Sequence, residues 1–258
     1  MMNLEDYVAG VVAAEMPALY HMEALKAQAV AARTRVAAGR CRQNADADVC
    51  TNAQCCQGYI SEAERFEKWG ADADQMNERI RQAVQATEGV IMLYDGQPIE
   101  VLYHAVSGGY TENAEEVFAQ ALPYLRGVES PGEEDARGYQ TEQIFTKQEI
   151  ADVFPDATHN GKIELEILGR LESGRVTLIR VGRLTMTGRQ FRSALGLKST
   201  NFELFMRDNQ IVVAQKGYGH GVGMSQAGAD AMAKNGADYM AILSHYYTGI
   251  SFGKGNIK

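Results

Sequence analysis

The chain has 258 residues, 45% of them apolar and 22% charged, and a formal net charge of −8. Such a length and apolar content supports a sizeable core, as one large domain or two small ones, and excludes a disordered or fibrous chain. The acidic balance argues against a nucleic-acid backbone or an anionic membrane as main ligand, since either needs a basic face. No run of about 18 apolar residues occurs and the first residues are already amphipathic, so neither a membrane span nor an export signal is expected within these residues.

The first predicted element is an amphipathic helix beginning near Leu4 and stopped by Pro17. At roughly 100° per residue, Leu4, Val8, Val11, Val12 and Glu15 share one arc, so an acid points where the valines point. A carboxylate on an inward stripe beside Ala13, Ala14 and Met16 is desolvated, which disfavours its charged form and suits a proton donor. The competing reading is a glutamate at a frayed helix end, solvated or paired with an arginine. Met22 to Ala38 reads as a second helix with Leu25, Ala29, Ala32 and Val36 on one stripe, Arg33 on its shoulder and Gly39 at its end. Arg33 reads either as a surface arginine or as a guanidinium reaching a carboxylate or a sugar substituent beside Glu15.

The four cysteines, Cys41, Cys50, Cys55 and Cys56, all fall in the segment 41–62. Clustering of this kind points to a local metal site or a local disulfide, with free thiols as the third option. Further on, Asp74 to Thr87 has helical spacing closed by Gly89. Val90 to Tyr94 and Ile99 to Ala105 read as strands joined at Asp95-Gly96, a strong hairpin signal. The second strand delivers His104 and Ser107 at its mouth, where the order and spacing give poor support to a nucleophile.

Residues 112–140 are acidic and loop-like, and the Glu133-Glu134-Asp135 run reads as a solvated face. Thr146 and Glu149 form a capping box opening a short helix. Strands follow over Lys162 to Leu168 and Arg175 to Val181 about a Ser173-Gly174 turn. A short helix is expected over Gly188 to Leu195, and a hairpin from Phe202 to Met206 and Ile211 to Gln215 over Asp208-Asn209. The segment 112–216 is thus mostly scaffold. The stretch 217–229, GYGHGVGMSQAGA, sets four glycines around Tyr218 and His220 without the spacing of a phosphate cradle. Ser225 and Asp238 cap the last two predicted helices. Helices at both ends with hairpins between them give an α+β fold with antiparallel or mixed strands, and a substrate groove is expected between these parts.

In this order, AAEMP, LKAQAVAARTR, YHAVSGGYT, GYGHGVGMSQAGA and ILSHYYTG, the chain resembles the stage II sporulation protein D family and the related domain of amidase enhancers. The resemblance spans nearly the whole chain and implies a single catalytic domain over 1–258. It implies a lytic transglycosylase that cleaves the MurNAc-β-1,4-GlcNAc bond of peptide-stripped peptidoglycan strands and leaves 1,6-anhydroMurNAc ends. The family's catalytic acid falls on Glu15, and an ordinary glycosidase would need a second carboxylate. Arg33, His104, Ser107, Tyr218 and His220 would bind the glycan. Some clostridial members hold a structural zinc ion with cysteine and histidine in the loop after the second helix. Here Cys50, Cys55 and Cys56, with Cys41, would be the ligands, and no cofactor is expected for catalysis. The implied partners are a sporulation cell-wall amidase and a membrane scaffold protein, not a nucleic acid. The implied setting is extracytoplasmic, at the septal or engulfing membrane, in a full-length protein with a membrane anchor. The alternative is a non-catalytic peptidoglycan-binding enhancer of an amidase.

Overall fold

The computed structural model describes residues 2–39, 41, 43–44, 47–53, 55–118, 120–159 and 162–255. The chain is α+β, as expected, and packs as two compact units. One comprises residues 1–103, 113–126 and 229–258, the other 104–112 and 127–228.

The first unit begins with α1 (Leu4–Glu15), where the Asn3 side chain accepts from the Glu5 N–H and Glu5 and Asp6 occupy the first turn, favourable against the helix dipole. Its valines Val8, Val11 and Val12 are fully buried. Next come α2 (Met22–Ala38), capped by the His21 imidazole, α3 (Glu62–Trp69) and α4 (Ala73–Ala86). A Ser61/Glu64 capping box opens α3 just after the cysteine-bearing segment. The alanine-rich face of α2 is buried along almost its whole length, since small side chains allow neighbouring elements close.

Strand β1 (Val90–Tyr94) turns at Asp95 and Gly96, both at positive φ, into β2 (Gln97–Pro98). The second strand, expected over Ile99 to Ala105, forms only at Gln97–Pro98 and Tyr103–His104, with the Ile99 N–H still reaching the Met92 carbonyl at 3.3 Å. The other edge of β1 pairs antiparallel with Ser251–Lys254, which no pattern in the sequence signalled. The Tyr239–Tyr246 helix, capped by Asp238, buries Ile242, Leu243 and Tyr246.

The second unit holds two three-stranded antiparallel sheets. In one, Gln210–Lys216 lies between Phe202–Arg207 and Gln140–Phe145; in the other, Val176–Val181 lies between Leu165–Arg170 and Leu184–Thr187. The hairpin turn at Asp208 and Asn209 has positive φ at both, as its sequence demands. Capping boxes start the helices Lys147–Val153 and Gly188–Leu195, both near the expected positions. Their apolar faces meet the strands in one core, where Phe191 stacks on Phe154 at 5.4 Å and meets Phe202 at 5.3 Å. Burying a side chain of this size contributes about 2 to 3 kcal/mol. No described helix is long and apolar enough to cross a membrane.

Candidate active site

Glu15 is the last residue of α1 and is half-buried. Its Oε1 accepts the Gly58 backbone N–H at 2.7 Å. A Cβ at residue 58 would sit 2.7 Å from that oxygen, so glycine is what lets the strap approach the acid. Residues 57–60 run along α1, where Tyr59 stacks on Tyr7 at 5.7 Å and the Ile60 N–H reaches the Gly10 carbonyl. Gln57 is buried. Its amide nitrogen donates to the Ala32 carbonyl at 3.3 Å, and its amide oxygen accepts the Tyr103 hydroxyl at 3.2 Å.

Burial pushes the Tyr103 phenol well above its usual value, and the negative charge of Glu15 adds to the shift. The phenol therefore stays protonated across the physiological range as a neutral donor that senses the acid. Burial also pushes Tyr7 up to about 12, and its hydroxyl donates to the Cys50 carbonyl. Among the described residues Glu15 has no ion pair. It stands half-exposed at the helix end, as in the solvated alternative.

Arg33 is not beside Glu15. Its guanidinium is fully buried and grips Glu5 with two hydrogen bonds, 2.9 and 2.6 Å, while also donating to the Val90 carbonyl at 3.1 Å. Ten residues of helix separate Glu5 from Glu15, about 15 Å along the axis. The expectation that Arg33 holds Glu15 or substrate is corrected: a guanidinium buried under α1 requires a carboxylate, and the first turn of the helix supplies one.

The four cysteine sulfurs lie within 4.8 Å of one another, and all four cysteines are free thiols. Cys41 and Cys55 are 3.7 Å apart and Cys55 and Cys56 3.8 Å. Four thiolates around one tetrahedral zinc at about 2.3 Å would have sulfur–sulfur edges of about 3.8 Å. The donor set and spacing therefore fit a zinc ion. The adjacent pair, awkward in sequence, is accommodated because Cys50 donates its backbone N–H to the Cys56 sulfur, folding the loop back on itself.

The other expected residues fall in the second unit. His104 is buried, with Nδ1–H donating to the Val222 carbonyl at 3.2 Å and its ring 5.5 Å from that of His220. Burial, with the nearby charges of His220 and Arg175, holds its pKa well below the usual histidine value, so it is neutral. Gly219, at φ +122°, lies so close that a Cβ there would come within 2.6 Å of the His104 Cβ. His220 is half-buried and accepts the Val222 N–H at Nδ1.

Ser107 is buried. Its N–H and hydroxyl, with the Gly108 N–H, all donate to one oxygen of Glu133 at 2.8 to 3.1 Å, and the other oxygen takes the Ser130 hydroxyl at 2.7 Å. The expected solvated face is thus wrong at Glu133, which is 1% exposed and knots this turn. Arg175 completes the knot by donating to the Ser107 carbonyl at 3.0 Å and pairing with buried Glu112 at 3.2 Å. Its burial lowers its pKa to about 10 despite Glu112. With its hydroxyl engaged, Ser107 has a structural part here and not the glycan contact expected. Tyr218 alone of these four is exposed.

Gln57, Gly58, Tyr103, Glu133 and Arg175 had no role in the sequence reading. Tyr103 opens the stretch YHAVSGGYT, while Glu133 is hidden in the sequence by acidic neighbours that do face solvent.

The family profile described as Stage II sporulation protein matches residues 1–94. The chain is 38% identical over 250 residues to Stage II sporulation protein D of Bacillus subtilis (strain 168), covering 95% of this chain and 73% of the relative. Identity to the Bacillus amyloliquefaciens protein of the same name is 37% over 263 residues, covering 96% and 73%. An amidase enhancer of Bacillus subtilis (strain 168) is 27% identical over 294 residues, covering 93% of this chain and 39% of the relative. Identity of this extent over nearly the full length, together with the profile match across the helices that carry Glu15, makes the chain a member of the stage II sporulation protein D family.

Proposed function

We propose that the protein is a peptidoglycan lytic transglycosylase of sporulation and that Glu15 is its acid and then its base. The observation that carries this reading is the half-buried Glu15, with Oε1 pinned by the Gly58 N–H and no ion pair among the described residues. Pinning one oxygen leaves the other to carry the proton. Protonated Glu15 donates to the glycosidic oxygen as the bond from muramic acid C1 breaks, so GlcNAc leaves with its 4-hydroxyl restored. The carboxylate, stabilised by the Gly58 N–H, then accepts the proton of the muramic C6 hydroxyl while that oxygen bonds to C1. Glu15 is regenerated, the anhydro ring closes and no water is consumed. A single carboxylate is sufficient for this sequence, unlike an ordinary glycosidase.

Cys41, Cys50, Cys55 and Cys56 would hold a structural zinc, which when bound would cross-link the loop leading into Gln57 and Gly58. Metal analysis with thiol titration checks this: one zinc per chain is expected, and two oxidised pairs without zinc would refute it. The working site is the cell wall around the engulfing membrane, with an amidase supplying peptide-stripped strands and a membrane scaffold protein as the third partner.

The decisive experiment incubates the protein with peptide-stripped strands and weighs the products. Anhydro ends are expected, and hydrated reducing ends would make the protein a hydrolase. The similarity to an amidase enhancer supports a second reading, a binding module without cleavage. Intact strands together with stimulation of an added amidase would favour it.

A further inference from the structure

The one donor that Glu15 has among the described residues is a backbone N–H, and the residue that carries it is a glycine. A glycine has no side chain to restrict it, so the direction of that N–H is imposed by the segments on either side. On the far side, Tyr59 stacks on Tyr7 at 5.7 Å and the Ile60 N–H reaches the Gly10 carbonyl at 3.3 Å, which fixes residues 59–60 along α1. On the near side stands Gln57, 3% exposed, whose carbonyl shares a peptide plane with the Gly58 N–H. Both ends of its side-chain amide are held: Nε2 donates to the Ala32 carbonyl on α2 at 3.3 Å, and Oε1 accepts the Tyr103 hydroxyl at 3.2 Å. All of these residues belong to the first unit.

The Tyr103 hydroxyl is suited to act as a fixed donor. Burial raises its pKa well above the usual value and the charge of Glu15 adds to this, so it keeps its proton across the physiological range. That proton points to Gln57 and not to the acid. An apolar pair would fill the same space without the cost of burying polar groups; what the polar pair adds is direction.

We propose that Tyr103 and Gln57 are positioning residues for the acid: the phenol locks the Gln57 amide, and the locked residue aims the Gly58 N–H at Glu15 Oε1. The effect on rate rests on the transglycosylase reading above, whereas the chain of hydrogen bonds stands or falls without it. In this role neither side chain needs to touch the glycan. With the phenol oxygen gone, Gln57 Oε1 loses its donor in a buried place, the amide turns to find another, and the 57–58 peptide turns with it. Glu15 then loses the bond that holds one oxygen fixed while the other transfers the proton.

The test pairs kinetics with an amide spectrum. Tyr103→Phe, which removes a single oxygen atom, is expected to lower kcat for release of anhydro ends about five- to tenfold with KM nearly unchanged. Gln57→Leu should lower it by a similar factor. Because both act through residue 58, adding Tyr103→Phe to Gly58→Ala should cost less than about twofold more, whereas independent effects would multiply. In protein carrying isotope-labelled glycine, the Gly58 amide proton, identified by its loss in Gly58→Ala, should lie downfield as a donor to a charged acceptor. It should move upfield in Tyr103→Phe as it does in Glu15→Gln, with the other glycine signals in place to show that the variant is folded. An unmoved Gly58 proton in folded Tyr103→Phe protein, or rate losses that multiply with those of Gly58→Ala, would overturn the inference. Cleavage by the parent chain with an unmoved proton removes the positioning role alone. A proton that moves in a parent chain that cleaves nothing removes the enzyme and keeps the hydrogen-bond chain.

Discussion

Two acids, Glu15 and Glu133, show how differently one residue type is used in the two units. Glu133 is 1% exposed and its two oxygens take four donors, so its hydrogen-bonding capacity goes to fixing the turn at Ser107 and Gly108. Glu15 is half-buried and, among the described residues, takes one backbone donor on one oxygen and none on the other. Saturation makes a carboxylate structural, whereas partial satisfaction leaves one able to exchange a proton.

The largest effect that sharpens this contrast is expected at Glu15 itself. Glu15→Gln keeps the shape and removes the transferable proton, so strand cleavage should fall by about 10²- to 10⁴-fold. The melting temperature should stay within a degree or two, because a single half-buried hydrogen bond changes character. Full activity in this variant, measured by release of anhydro ends, would remove Glu15 from the mechanism.

Glu133→Ala should do the reverse. Four donors lose their acceptor in a buried turn, at a cost of about 3 kcal/mol, which denaturant titration reads directly. A cost below about 1 kcal/mol would mean that water or neighbouring groups replace the carboxylate, and the assignment of Glu133 as the knot would be wrong.

A smaller effect comes from His104, buried and neutral in the folded chain. Its folded pKa is depressed, so the unfolded chain binds the proton more readily. Its contribution to stability is therefore complete above the unfolded value of about 6.5 and is lost as pH falls below it toward the folded value. The slope attributable to this residue is at most about 1.4 kcal/mol per pH unit. His104→Gln should flatten the stability profile between about pH 6.5 and 5 relative to the parent chain. An unchanged slope would show that another group sets it.

Much of the fold was legible because its signals are local. The caps at Thr146 and Asp238, the positive-φ turn pairs at residues 95–96 and 208–209, and the valine stripe of α1 all act within a few residues. What was not legible depends on contacts between distant segments. The pairing of Val90–Tyr94 with Ser251–Lys254 carries no short-range mark, and the destination of Arg33 depends on which end of α1 lies over it. At the candidate site, the odd acid in an apolar stripe was visible from periodicity. Its partner was hidden, because a backbone N–H carries no residue identity, and Gly58 signals only that something comes close.

That close approach gives the smallest and most specific test. In Gly58→Ala the new methyl would lie 2.7 Å from Glu15 Oε1 and 3.7 Å from the Ala14 Cβ. The atom in the way is the end of a flexible side chain, so the carboxylate can swing aside and the fold should lose less than about 1 kcal/mol. Its hydrogen bond to the residue 58 N–H would then lengthen or break, and the acid would leave the position from which it serves both proton transfers. Cleavage should therefore drop about tenfold in kcat with little change in KM, since positioning and not binding is disturbed. If kcat is unaffected, the Gly58 N–H has no part in holding the acid, and the site works with Glu15 in more than one rotamer. If stability falls by several kcal/mol instead, the strap over α1 is rigid, and Glu15 is held as firmly as Glu133.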